Sequence, residues 1–158
     1  MRDDSGVPIE FRAMDAAVPP ASALIAAMVD EMVALYAADR LPGPPPATAA
    51  DFAAPGGTFL VGFVGDEPVC AGGLMGLPDG AAEIKRMYVV PSARRRGLAR
   101  ALLGALEDAA RALGYGIVRL DTGSRQPHAR GLYESVGYVS VPDYNGNPAA
   151  AFWGEKRL

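Results

Sequence analysis

The sequence predicts one α+β domain, a mixed sheet of six or seven strands with helices covering its faces. Three observations carry this. Residues 58–90 hold three β-rich runs separated by short turns. Residues 83–121 then read as strand, loop, helix, strand, a crossover whose two strands are parallel. An apolar periodicity of three and four over residues 22–38 supplies a further helix. A length of 158 residues suits a single domain, residues 1–158.

The elements follow in order. Residues 7–12 alternate weakly and make a first strand. In residues 22–38, Leu24, Ile25, Met28, Met32 and Leu35 form the stripe of an amphipathic helix. Ser22 is placed to cap it after the Pro19-Pro20 break. Residues 41–46 contain four prolines and read as a loop, since proline donates no backbone hydrogen bond. A short helix is expected at 48–52. Strands follow at Thr58–Val64, 69–77 and 83–90, joined by turns at Gly65-Asp66 and Leu77-Pro78-Asp79-Gly80. Turns this short make antiparallel neighbours. After a loop at 91–96, residues 97–113 form a helix with Leu98, Leu102, Leu106 and Leu113 apolar, stopped by Gly114. Residues 117–121 are a strand. Pro127–Ser135 is a short helix with proline in its first turn, where it is tolerated. Residues 138–141 and 151–157 close the sheet around the turn-rich stretch 143–148.

Composition removes several classes. No run of about 18 apolar residues is present, so no membrane-spanning helix is expected. The first residues, Met1-Arg2-Asp3-Asp4, lack the basic and apolar regions of a secretory signal, and a cytoplasmic location is expected. A single cysteine, Cys70, makes no internal disulfide. With one histidine, His128, beside it, no zinc site of the usual kind is expected, and no metal. The formal charge of −3 hides an asymmetry. Residues 85–130 carry ten basic and three acidic side chains, a balance of +7, and the remainder balances at −10. A basic block in an acidic chain points to an anionic ligand at one place. Three consecutive arginines without interleaved aromatics argue against a nucleic-acid-binding protein.

The most informative segment is Arg94-Arg95-Arg96-Gly97-Leu98-Ala99-Arg100, between a strand end and a helix start. A helix N-terminus presents unpaired N–H groups and a positive dipole end, which suit a phosphate. Gly97 and Ala99 let an anion approach the backbone, and four arginines add charge around it. The loop lacks the Gly-Lys-Ser/Thr ending of a Walker loop and has one glycine where a dinucleotide fingerprint needs three. The expected ligand is a pyrophosphate.

The region from Glu83 to Tyr138 resembles the GNAT superfamily of acetyl-CoA-dependent N-acetyltransferases. Arg94-Arg95-Arg96-Gly97-Leu98-Ala99 matches its Arg/Gln-x-x-Gly-x-Gly/Ala signature. Leu132-Tyr133-Glu134-Ser135-Val136-Gly137-Tyr138 matches its second signature, Leu-Tyr-x-x-x-Gly-Phe/Tyr, 34 to 38 residues further on. The earlier elements fit the same order.

The resemblance implies a sheet splayed between its fourth and fifth strands, with acetyl-CoA in the cleft and no metal. Backbone amides of residues 95–100 would bind the pyrophosphate, with Arg94, Arg95, Arg96 and Arg100 around it. Met87, Tyr88 and Val89 would pair with the pantetheine arm, with Gln126 and Ala129 on the facing helix start. Gln126 stands where the family often has asparagine. Tyr133 is the family's usual general acid: a phenol with pKa near ~10 stays protonated at neutral pH and can donate to a thiolate. Glu83, fourteen residues before Gly97, is the first candidate for general base. His128, whose imidazole ordinarily titrates near ~6.5, is the second, although its place at a helix start suits a solvated or capping role. Cys70, with no histidine near in sequence, reads as a small buried hydrophobe and not an acyl-carrying nucleophile.

By the same resemblance the acceptor pocket is formed by residues 36–46, 83–87 and 143–148. Tyr36 and Tyr144 would line it, and Lys85 and Arg86 would grip a carboxylate or stand as edge charges. The expected reaction is acetyl transfer to a small primary amine, amino-acid-like in one version. The alternatives are a protein N-acetyltransferase and a non-catalytic acyl-CoA-binding or regulatory domain. The expected partner is a small-molecule amine, with neither nucleic acid nor membrane. Homodimers are common in the family.

Overall fold

Side chains on each strand alternate between two cores, and that alternation fixes the architecture. The computed structural model describes residues 1–37 and 46–158. Its elements are β1 (Glu10–Ala13), α1 (Ala21–Leu35), a 3₁₀ turn (Ala49–Phe52), β2 (Thr58–Val64), β3 (Glu67–Gly76), β4 (Ala82–Val89), a second 3₁₀ turn (Pro91–Ala93), α2 (Leu98–Ala112), β5 (Ile117–Gly123), α3 (Pro127–Ser135), β6 (Val139–Ser140) and β7 (Ala150–Arg157). Among the described residues they form one sheet of seven strands, ordered β1-β2-β3-β4-β5-β7-β6. The α+β class, the mixed sheet and the helices on both faces are as the sequence predicts.

On β2, Phe59, Val61 and Phe63 pack with Leu24 of α1, whereas Leu60 packs with the α2 leucines. Leu98, Leu102 and Leu106 recur every fourth residue, so α2 turns one stripe onto the sheet and buries it completely. Removing one such leucine to alanine costs about 2–5 kcal/mol. No helix among the described residues is long and apolar enough to cross a membrane.

The splay has a local cause. β4 and β5 pair in parallel at only two positions, Ala82↔Val118 and Glu83↔Arg119. Beyond them the β3–β4 ladder steps from Gly73↔Lys85 to Ala71↔Tyr88, which leaves one extra residue on β4. Arg86, inside that step, has φ +59°. A bulge of this kind bends its strand, and β4 leaves β5 there.

Three local expectations shift. The first strand begins at Glu10 and not residue 7, because the Val7 amide donates to the Asp3 carboxylate at 2.8 Å. α1 begins one residue before Ser22 with Pro20 at its cap, so Ser22 does not cap it. The helix also ends at Leu35, three residues early. The last two strands pair as a closing pair, with β7 between β5 and β6. The proline loop at 41–46 lies outside the described residues except for Pro46.

Candidate active site

Where β4 and β5 diverge, a cleft of about 1080 Å³ opens between β4, the C-terminal end of β5, α1, the start of α3 and the β6–β7 loop. Met87, Tyr88 and Val89 lie along it, on the length of β4 that has lost β5 as a partner. An unpaired strand edge is a row of free backbone donors and acceptors, able to pair with an extended chain.

At the end of that edge stands the start of α2. No side chain caps it, and Gly97 at the cap has φ +73°. Arg95 is also left-handed, at φ +63°. The first backbone bond of the helix is Ala101 N–H to Gly97 C=O at 3.0 Å, which leaves the preceding amides available. Leu98 anchors the turn in the core, and Ala99 lines the cleft.

The four arginines divide. Arg94 donates to both Glu31 oxygens, at 2.8 and 2.7 Å, and to the Val89 carbonyl at 3.0 Å. Arg96 is held by Asp3, with Nε to Oδ2 at 2.8 Å. Asp3 itself is buried, and its carboxyl is lowered to about 2 by the Ser5 hydroxyl, the Val7 amide and Arg96, against the opposing effect of burial. Arg100 donates to Ser135 Oγ at 3.0 Å, and Arg95 is exposed. Two of the four guanidinium groups are therefore committed to carboxylates. An anion at this loop would meet mainly backbone amides, with Arg95 and Arg100 at hand.

Tyr133 projects from α3 into the middle of the cleft. It is 7% exposed, and its hydroxyl donates to Met87 Sδ at 3.8 Å. Burial, reinforced by the negative charge of Asp121, pushes its phenol up to about 12. Ala129 lines the same wall one turn earlier. The Gln126 amide oxygen accepts long contacts from the Tyr36 hydroxyl and the Gly123 amide, both at 3.4 Å. Tyr36 also accepts from the Arg125 amide at 3.2 Å, so the end of α1 reaches across to the β5–α3 turn. Gly123 permits that approach: a Cβ there would lie 2.0 Å from the Tyr36 hydroxyl oxygen.

Glu83 sits at the last position where β4 pairs with β5 and is 2% exposed. Lys85 Nζ lies 3.1 Å from it. Asn145, from the β6–β7 loop, donates through Nδ2 to Glu83 at 3.1 Å and also to Asp121. Asn147 Nδ2 donates to both Asp121 oxygens at 3.3 Å. The Asn145 amide is fixed in turn by Trp153 Nε1, which donates to its oxygen at 3.0 Å. Asn145 and Asn147 lie in the stretch 143–148 expected at the acceptor pocket, though neither was singled out, and Asp121 was not expected from the sequence. The available signal was that Asp121 ends a strand parallel to β4, where side chains of open α/β sheets face the crevice.

The remaining candidates fall into place around this network. Lys85 and Arg86 both line the cleft; Lys85 is tied to Glu83, whereas Arg86 donates to the Ala47 carbonyl at 3.0 Å. Tyr144 packs behind the cleft: its ring lies under Arg119 at 5.5 Å, and its buried hydroxyl stands beside Glu83 without closing a well-formed hydrogen bond. Burial and the Glu83 charge push that phenol up. His128 is exposed at the rim on α3. Cys70 is fully buried in the core, and burial pushes its thiol up to about 12.

Comparison with known proteins adds an independent finding. The acetyltransferase (GNAT) family model matches residues 25–138. Over 76 residues the chain is 37% identical to an IAA acetyltransferase of Azospirillum brasilense, covering 46% of this chain and 50% of that protein. Over 104 residues it is 35% identical to the uncharacterized N-acetyltransferase YsnE of Bacillus subtilis (strain 168), covering 63% of this chain and 69% of that one. The chain thus spans half the length of the first relative and about two-thirds of the second. A Klebsiella pneumoniae structure described as an acyl-CoA N-acyltransferase superposes with a TM-score of 0.73 at 27% identity, over 95% of this chain and 97% of that one. The PaiA N-acetyltransferase of Thermoplasma acidophilum, in complex with coenzyme A, shares the fold with a TM-score of 0.71 at 16% identity, over 96% and 100%.

Proposed function

The chain belongs to the GNAT acetyltransferase family, and on that premise we propose that it moves an acetyl group from acetyl-CoA to a primary amine of a small molecule, by direct attack in a ternary complex. The observation that carries the reading is one juxtaposition. Tyr133 touches Met87 on β4, and Glu83 stands four residues earlier on the same strand, all in the cleft where the strand has lost its neighbour.

The residues present fit the co-substrate. The free edge of β4 suits an extended arm, and the uncapped start of α2 suits a pyrophosphate. Acetyl-CoA supplies the activated acyl group as a thioester. Backbone amides in the Met87, Tyr88 and Val89 stretch are the donors for the charge that grows on its carbonyl oxygen.

Tyr133 is the proton donor to the departing sulfur. Its phenol, held near 12, stays protonated at every working pH, while a thiol ordinarily titrates near ~8.5. The amine arrives largely as an ammonium, since alkylamines titrate near ~10.4. Glu83 takes its proton, directly or through water, and Asn145 keeps the carboxylate aimed while tying it to Asp121. Cys70 is buried with a raised pKa, which disfavours an acyl-enzyme and supports direct attack. The contact of Tyr36 with the β5–α3 turn, together with the Asn145 and Asn147 bonds, narrows the acceptor end and favours a small molecule over a protein tail.

A thiol-release screen over small primary amines with acetyl-CoA tests the reading, beside thermal shifts with CoA. CoA is expected to raise the melting temperature, as a ligand of the native state does. At least one amine is expected to accelerate thiol release, with intersecting initial-velocity lines. Parallel lines would contradict direct attack, and no shift with CoA would contradict the site.

A further inference from the structure

Five basic side chains are half-buried among the described residues: Lys85, Arg86, Arg96, Arg119 and Lys156. Four of them are ion-paired. Lys85 meets Glu83 at 3.1 Å, Arg96 meets Asp3, Arg119 meets Glu155 at 2.9 Å and Lys156 meets Glu107 at 2.9 Å. Arg86 is the exception. Among the described residues its guanidinium meets no carboxylate, and it spends one donor on the Ala47 carbonyl at 3.0 Å. A guanidinium has five N–H donors in a planar fork, so most of its capacity is unspent. Burying a charge without a counter-charge is costly, and burial accordingly lowers the pKa of Arg86.

Its position is also unusual. Arg86 lines the cleft from inside the β4 bulge, at φ +59°, a conformation that a residue with a Cβ seldom adopts. Strain of this kind persists where the surroundings over-determine it, and it clusters at ligand sites. The next residue, Met87, touches the Tyr133 hydroxyl. Three residues earlier, a rise of about 10 Å along a strand, Glu83 and Asp121 form the acidic end of the same cleft, joined by Asn145. A cation and an acidic pair therefore line the cleft in which the acetyl group is expected.

We propose that Arg86 is the anion subsite of the acceptor, and that the amine taken by this cleft also carries a carboxylate. The acceptor is then an amino-acid-like zwitterion, its ammonium toward Glu83 and Asp121 and its carboxylate on the guanidinium fork. The acetyl-transfer reading above is needed only to make that molecule an acceptor; the anion subsite stands on the unpaired, half-buried guanidinium itself. Lys85, by contrast, is already neutralised by Glu83 and takes no part in gripping the carboxylate.

The test uses matched pairs, each amino acid beside its carboxamide, which keeps the amine and removes the negative charge. Binding is read by calorimetry in the presence of CoA, and turnover by thiol release from acetyl-CoA. The wild-type chain is expected to bind at least one acid about 10-fold or more tightly than its carboxamide, as a charge-assisted contact gives. In Arg86→Asn the ratio falls toward unity, since asparagine tolerates the left-handed backbone but lacks the charge. Arg86→Gly, equally compatible with that backbone, gives the same result. A ratio that survives both variants overturns the proposal, and so does a wild-type chain that binds no acid in preference to its carboxamide. The wild-type ratio stands alone, so a poorly folding variant does not shield the proposal. Acid-selective, Arg86-dependent binding without thiol release would overturn the transfer reading and leave the subsite standing. Thiol release from amines with no acid preference would do the reverse.

Discussion

The two ends of the cleft are built from different materials. At the α2 end, the features that fit a ligand belong to the backbone: the free edge of β4 and the uncapped amides around Gly97. At the β6–β7 end they belong to side chains: Glu83, Asp121, Asn145 and Arg86. A backbone site recognises a feature that every substrate pair shares, and it is insensitive to most side-chain changes. A side-chain site is free to vary without disturbing the fold, which is how one scaffold serves different acceptors. Even the arginines of the α2 loop obey this division, since Arg94 and Arg96 serve to brace the loop against Glu31 and Asp3.

The comparison can be broken most sharply at Tyr133, which stands between the two ends. Tyr133→Phe is expected to lower kcat about 10²- to 10⁴-fold, the range for a lost general acid, with little change in acetyl-CoA affinity. A fully active variant would remove the acid role and leave only packing. Next in size, Gly97→Val should raise the KM for acetyl-CoA at least about 10-fold. The side chain would be forced into a left-handed backbone, and its Cβ would lie 2.4 Å from an Asp4 oxygen. Arg95→Gln should raise the same KM by less, only several-fold, because an exposed charge contact is worth about 0–1 kcal/mol. If Arg95→Gln is the more damaging of the two, the loop binds through side chains and the contrast fails.

The smallest effect concerns the brace. The Asp3 carboxyl is lowered to about 2 from an ordinary value of 3.8. A lowered carboxyl pKa stabilises the fold fully above the ordinary value, and the contribution is lost as pH falls through about 2. Asp3→Asn should therefore melt below the wild type at neutral pH, and the two melting curves should converge as pH approaches 2. A gap that persists in acid would show that Asp3 acts through shape and not through charge.

Legibility in the sequence follows the same division. The strand Thr58–Val64 and the helix Pro127–Ser135 have the bounds that local pattern predicts, because alternation and a proline start are local signals. The turn into α2 was readable for the same reason: Gly97 and the leucine stripe behind it are neighbours in sequence. Glu83 and Tyr133 were readable as candidates through the resemblance that the two signatures carry. Asp121 was not, and within the expected stretch 143–148 nothing singled out Asn145 or Asn147, since the contact from Asn145 to Glu83 spans 62 residues and begins in a loop with no periodicity. Nor could the pattern show that Arg94 is held by Glu31, 63 residues away, and Arg96 by Asp3, 93 residues away. It offered Lys85 and Arg86 as equals, and only the packing separates the cation held by Glu83 from the one that meets no carboxylate among the described residues.

Acetyl-CoA is expected in the widened gap beside β4, held there through backbone groups. Titrating isotope-labelled protein with CoA and following its amide resonances tests this most directly. The largest shifts are expected on residues 84–89 and 95–100, with slowed amide exchange along β4 as its edge becomes paired. Shifts concentrated elsewhere on the sheet, or no change along β4, would contradict it.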